Sequence, residues 1–306
     1  MQRGPGAGGA MNASEWAMLV FLSLLWGSSF FFASVALREL GTITVVLLRV
    51  GLAALPLVAL ALLLRALPPF TLKAAGEFLV MASLNIVAPF LLIVWGQTQI
   101  SSGLASILNA TTPLFTVVVA HVWGDERLTR LRLAGVFVGF CGVVALVGPA
   151  ALGRSEASLA AHLAGVLAAF CYACASVYSR RFVRQGVAPM ASAAATTSAG
   201  GLLLLPLAFA FEQPLDVLHA SPAVLGAVAG LALLSTTLGY ILYYRILARS
   251  GSTNLMLVTF LMPVTAILLG ALALGESLRP GHALGMALIA FGLALIDGRA
   301  FARLRR

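Results

Sequence analysis

The stretch 101–148 returns without a gap as 251–298, and this repetition restricts the folds open to the chain more than any other feature. The constant offset sets Ser102 on Ser252, Pro113 on Pro263, Glu126 on Glu276, Gly135 on Gly285, Gly142 on Gly292 and Gly148 on Gly298. It also pairs Ser29 with Ser179, Phe32 with Phe182, Gly51 with Gly201, Pro56 with Pro206 and Gly76 with Gly226. Matching leucines mean little in apolar sequence. Coincident prolines, turn glutamates and glycines mean more, and the whole chain reads as one unit used twice.

The unit is too apolar for water. With 61% hydrophobic and 9% charged residues and a mean hydropathy of +1.03, an integral membrane protein is expected. A hydrocarbon core about 30 Å thick takes ~20 helical residues at ~1.5 Å each. By that measure the spans fall at 16–37, 42–64, 77–96, 102–122, 131–148, 162–180, 188–211, 223–246, 251–274 and 281–298. The first of these is long enough to cross and others follow, so it is expected to be retained rather than cleaved as a signal peptide. The expected organisation is a disordered tail at 1–15, a five-helix repeat at 16–149, a linker at 150–161, a second five-helix repeat at 162–298 and a basic tail at 299–306.

The basic residues orient these spans. Of 19 Lys and Arg, fifteen fall on the side of the N-terminus, three (Arg38, Arg154 and Arg279) on the other, and Arg49 lies within a span. That bias puts both termini in the cytoplasm and the 150–161 linker in the periplasm. It also accounts for the net charge of +9 without nucleic acid, because the arginines face anionic headgroups. Five spans per unit is an odd number, so the second unit enters the membrane from the opposite side. The expected fold class is therefore all-α, ten transmembrane helices as two inverted five-helix repeats, an arrangement on which many secondary transporters are built.

Trp26-Gly27-Ser28-Ser29-Phe30 in the first span, and Gly124-Asp125-Glu126-Arg127-Leu128 running on to Gly135 and Gly142, carry a resemblance to a known family. The second motif recurs as Gly275-Glu276-Ser277-Leu278 with Gly285 and Gly292. The chain resembles the ten-helix members of the drug/metabolite transporter superfamily that carry two EamA domains, over about 16–298. The resemblance implies export of amino acids and other small metabolites, or nucleotide-sugar exchange, from the bacterial inner membrane. The second unit lacks the Trp-Gly pair, having Ser176 and Val177 there.

Candidate site residues follow from polar side chains within spans. A proline in a helix leaves the carbonyl four residues back without its bond, here those of Asn109 and Thr259. In hydrocarbon such a carbonyl needs a hydroxyl, water or neighbouring group, so kinked, polar helices tend to face cavities. Asn109, Thr112 and Pro113 share a face, and Pro113 and Pro263 are candidate hinges, with a passive packing kink as the plainer reading. Ser23, Trp26, Gly27 and Phe30 form a stripe, with Ser29 beside it; Tyr172, Ser176 and Ser179 form a second, and Thr236, Tyr240, Tyr243 and Tyr244 a third. Their rings and hydroxyls suit a small organic ligand, and serve helix packing equally. Trp16, Trp95 and Trp123 sit at span ends as an interface belt, whereas Trp26 does not.

Arg49 lies roughly 10 Å inside a span with no acidic residue at mid-span anywhere to pair with it. Carbonyls, water, an anionic group on the substrate, or snorkelling to the outer headgroups can each satisfy it. The remaining chemistry is sparse. Lys73 stands in no phosphate-binding loop, Cys171-x-x-Cys174 lies inside a span, and no His or carboxylate cluster has metal-ligand spacing. Neither cofactor, metal nor enzyme activity is expected.

The expected function is a secondary transporter moving a small organic metabolite by alternating access, by facilitated diffusion or exchange rather than through a proton-carrying carboxylate. Its partners are that small molecule and the lipid bilayer. An antiporter of anionic metabolites, or a non-transporting scaffold or lipid-modifying enzyme, are the alternatives. The topology is testable in intact cells with a membrane-impermeant thiol reagent, in a background freed of native cysteines. Arg154→Cys and Asp216→Cys are expected to label, and Asp125→Cys and Arg181→Cys to stay protected; the reverse pattern overturns the orientation.

Overall fold

The structure, a computed structural model, describes residues 11–66, 71–123, 129–152, 156–255, 257–277 and 280–297. These residues are helical with no strand among them. In chain order they form α1 (Ala13–Ala36), α2 (Thr42–Leu63), α3 (Leu72–Ala82), a π turn Ser83–Val87, α4 (Ala88–Gly96), α5 (Ser102–Asn109), α6 (Thr112–Val122), α7 (Arg130–Leu152) and α8 (Glu156–Arg184). The second half continues with α9 (Pro189–Phe211), a 3-10 turn Pro214–His219, α10 (Pro222–Ala229), a π segment Gly230–Leu238, α11 (Gly239–Leu255), α12 (Val258–Leu274) and α13 (Pro280–Asp297).

Among the described residues seven helical runs, from 13–36 to 222–251, are long and apolar enough to cross a membrane, and Val258–Leu274 and Ala283–Ile296 are shorter apolar helices. Their outer faces are apolar as well: Leu63, Leu202 and Leu272 are exposed at 82%, 69% and 84%. A surface of this kind is stable against lipid, not water. Trp16, Trp95 and Trp123 are exposed near helix ends, as interface residues are.

Local chemistry moves several boundaries. α1 starts at Ala13, inside the stretch expected to be a disordered tail, because Asn12 and Glu15 form a capping box: the Asn12 side chain accepts the Glu15 N–H at 2.9 Å and Glu15 Oε2 accepts the Asn12 N–H at 2.9 Å. α7 and α8 run through much of the expected 150–161 linker. The expected single helix 102–122 is divided at Ala110 and Thr111. That at 251–274 is interrupted ahead of α12, following Gly251 at φ 76. The tails at 1–10 and 298–306, the turn carrying Asp125 and Glu126, and Arg154 lie outside the described residues.

Packing joins the two halves of the chain along their lengths: α2 lies on α9, α7 on α13, and α1 on α12. The first two contacts are backbone on backbone. A Cβ on Gly201 would lie 3.8 Å from Gly51 Cα. A Cβ on Gly135 would lie 2.6 Å from the Gly292 carbonyl, and one on Gly142 2.8 Å from the Gly285 carbonyl. Any larger residue forces α7 and α13 apart, so these glycines allow antiparallel helices to associate through van der Waals contact, without a hydrophobic driving force.

Three carboxylates tie the halves together where α1 ends. Glu276 accepts the Ser102 N–H (2.8 Å), the Ser102 hydroxyl (2.8 Å) and the Gly103 N–H (3.2 Å), capping α5. Glu212 accepts the Ile43 N–H (3.0 Å), the Thr44 N–H (2.8 Å) and the Thr44 hydroxyl (2.8 Å), capping α2. Glu39 accepts the Ser221 N–H at 2.7 Å. The first amides of a helix have no internal acceptor and sit at the positive end of its dipole, so a carboxylate from elsewhere in the chain is well suited to them. At the opposite end Glu77 lies 3.7 Å from Arg181 and accepts from Gln185 at 3.0 Å. Removing the Glu276 carboxylate (Glu276→Ala) is expected to cost ~1–3 kcal/mol, and Glu276→Gln less, because the amide keeps one acceptor. Thermal unfolding in detergent measures this; an unchanged midpoint in Glu276→Ala shows that the contact contributes nothing.

Candidate functional site

The two halves enclose a cavity of about 730 Å³, within the range of small-molecule sites. Trp26, Ser29, Arg49, Asn109, Thr112, Tyr172, Ser176, Thr236, Tyr240 and Tyr243 all line it, as does Pro113. Pro263 is buried within α12 and is not among the lining residues. Of the α1 stripe, Ser23 is buried in packing and Gly27 lies against Met262 and Thr265 of α12, whereas Trp26 and Phe30 reach the cavity.

Two π segments shape the cavity wall. Ser83–Val87 interrupts the run from α3 to α4, and Gly230–Leu238 that from α10 to α11, at positions related by the same offset as the sequence repeat. A π turn inserts an extra residue per turn, displacing side chains and freeing backbone groups, and is common at functional sites. Here the Thr236 hydroxyl donates to the Leu231 carbonyl at 2.8 Å and the Thr237 hydroxyl to the Ala232 carbonyl at 2.9 Å, each five residues back. Asn85 from the first segment and Ser235 and Thr236 from the second line the cavity. The Asn85 amide lies 3.5 Å from the Tyr240 hydroxyl.

Arg49 projects into this region from α2. Its Nε–H donates to Thr236 Oγ1 at 3.1 Å, and its guanidinium carbon lies 3.9 Å from the centre of the Phe90 ring. It therefore faces the interior rather than snorkelling to the headgroups. Arg132 and Arg180 also line the cavity, and among the described residues no Asp or Glu does. The charged groups that the described residues bring to the lining are thus arginines, within a wall made mostly of apolar and aromatic side chains.

The break ahead of Pro113 resolves the local hydrogen bonding. The proline is at the start of α6 rather than in a continuous helix, and the Asn109 carbonyl that it cannot serve accepts the Thr112 hydroxyl at 2.7 Å. The Asn109 side-chain oxygen is buried without a hydrogen-bond partner among the described residues. Aromatic rings complete the wall: Trp26 and Tyr243 lie 5.5 Å apart, Tyr240 and Tyr244 6.3 Å, and Phe90 and Tyr172 6.4 Å.

Toward the end where α1 finishes, the lining includes Gln97, which is buried, with its amide donating to the Phe30 carbonyl (2.7 Å) and the Ser34 hydroxyl (2.9 Å). At the other end the lining reaches Arg180 and Val183, and Val183 is 78% exposed. Asn85 and Gln97 were not among the residues expected at the site. The signal was present in a lone Asn at the centre of an apolar span, but no pattern within that helix tells its facing.

Residues 14–148 and 159–297 each match the model of the EamA-like transporter family. A probable amino-acid metabolite efflux pump of Salmonella typhimurium is 25% identical over 92% of this chain and 94% of its own. A probable terminal-alkyne amino-acid exporter of Streptantibioticus cattleyicolor is 28% identical over 96% of this chain and 97% of its own. A solved structure shares the fold with a TM-score of 0.67 at 20% identity, covering 97% of this chain and 100% of its own. With both halves of the chain matched and the helices enclosing one cavity between them, the protein is a multi-pass membrane protein that belongs to the EamA-like transporter family.

Proposed function

We propose that the chain exports a small organic metabolite, such as an amino acid, across the bacterial inner membrane by alternating access. The observation that carries this reading is the central cavity lined by both halves of the chain, with carboxylate contacts joining the halves at the end where α1 finishes. Relatives named as amino-acid exporters and efflux pumps support the direction and the substrate class.

Alternating access follows most simply from ten crossing helices arranged as two inverted five-helix repeats, 16–149 and 162–298. Reciprocal contacts support that reading. Gly51 meets Gly201, its own counterpart at the repeat offset, and the Gly135–Gly292 contact exchanges into Gly142–Gly285 when the halves are swapped. A two-fold axis lying in the membrane plane produces such pairs. With both termini cytoplasmic, the end joined by Glu39, Glu212 and Glu276 faces the periplasm, and the opposite end receives substrate from the cytoplasm. Transport then requires the carboxylate contacts to open while the Glu77–Arg181 end closes.

Flux of radiolabelled amino acids and related metabolites into or out of proteoliposomes tests the function; a reconstituted protein that moves nothing in the panel is no transporter of this class. Pro113 and Pro263 are proposed hinges. Their local settings differ, one starting a helix and the other inside one, yet each prevents a backbone hydrogen bond at equivalent places in opposed helices. Pro113→Ala and Pro263→Ala are expected to insert normally, slow flux, and shift cysteine accessibility toward opposite membrane faces. A bias of ~1.4 kcal/mol moves the ratio of the two open states about tenfold. Wild-type flux with unchanged accessibility in both variants would leave the prolines as passive kinks.

A further inference from the structure

We infer that the transported molecule carries a carboxylate on an aromatic body, and that Arg49 holds the carboxylate through the paired N–H groups at the end of its guanidinium. The inference rests on reading the cavity as the transport site, and it specifies the chemistry of what enters.

A guanidinium has five N–H donors. In Arg49 one of them, Nε–H, is taken by Thr236, and the other four have no acceptor among the described residues. An arginine inside a membrane bundle with no ion-pair partner is costly unless something else meets it. Among the described residues the cavity lining contains no Asp or Glu that could do so. Nor is the orientation of the fork left to chance. The Thr236 hydroxyl commits its proton to Leu231 across the π turn, which leaves an oxygen lone pair to receive Nε–H. Phe90 then covers one face of the guanidinium plane. Thr236 fixes one edge and Phe90 one face, so the terminal edge is free for an in-plane, two-point contact. A carboxylate matches that geometry and that single charge.

The surrounding wall sets the body of the ligand. Phe90, Trp26, Tyr240 and Tyr243 line the same cavity and present ring faces and edges of the kind that pack on another ring. Asn109, whose side-chain oxygen is buried without a partner among the described residues, gives the ligand a neutral acceptor for an ammonium or hydroxyl donor. Among the described residues the wall offers a cationic ligand no carboxylate to pair with.

Three probes with related bodies separate the possibilities: phenylacetate, its neutral counterpart phenylacetamide, and phenethylamine. Binding to the full chain in lipid nanodiscs, followed by calorimetry at neutral pH, is expected to favour phenylacetate over phenylacetamide by at least about tenfold, with phenethylamine weakest. In Arg49→Gln the acid-to-amide ratio is expected to fall to about one, and in Arg49→Lys to be intermediate because the charge remains without the fork. Equal wild-type affinities for acid and amide, no binding of phenylacetate at millimolar concentration, or a ratio unchanged in Arg49→Gln each overturn the inference. Should Arg49→Gln fail to fold, the wild-type ratio and Arg49→Lys decide. Flux of other solutes that does not depend on Arg49 sinks this inference and leaves the transporter reading standing, whereas absence of all flux sinks the transporter reading itself.

Discussion

Inside a bilayer there is no water to receive a backbone group that a helix leaves free, and the structure is organised around this constraint. At several places where a helix of this chain starts, breaks or widens, a side chain supplies what is missing. Glu276 and Glu212 take the first amides of α5 and α2, Thr112 serves the carbonyl released by Pro113, and Thr236 and Thr237 serve carbonyls across the π segment. The carboxylates come from the other half of the chain, so satisfying a helix end also joins the halves.

The same constraint explains why the polar residues collect in one place. A helix that is irregular at mid-membrane can face protein or an aqueous space but not lipid, which directs the π segments and the α5–α6 break inward. Asn85, Thr236 and Asn109 follow them to the cavity. Arg49 then finds Thr236 and Phe90 there. The helices that surround this interior pack through glycines, with carbonyls so close at Gly135 and Gly292 that no side chain fits. Close backbone contact between helices and hydrogen-bonded irregularity around the cavity thus fall to different residues of the chain.

Much of this was legible in the chain. Composition and apolar runs gave a helical membrane protein, and polar stripes on the first, sixth and eighth expected spans led to side chains that line one cavity. The sequence was less informative wherever a partner lies far along the chain. Glu212 and Glu276 read as charged joint residues, yet their partners at 43–44 and 102–103 are about 170 residues away in sequence. Gly27 shared a stripe with Trp26 but faces α12, because successive helical residues point about 100° apart and the stripe was wide enough to reach both cavity and neighbour. Pro113 and Pro263 were equivalent by position and differ in setting, since the helix breaks before one and continues through the other.

The sequence by itself determined what backbone hydrogen bonding and hydrophobicity determine: a chain of apolar helices, their approximate limits, and a repeat whose prolines and glycines recur at one offset. Tertiary structure alone decided which polar groups meet. Helical periodicity specifies a face but not its neighbour, and only the packed bundle puts the Arg49 fork beside Thr236 and Phe90, buries Gln97 against Phe30 and Ser34, and brings Glu276 to the start of α5.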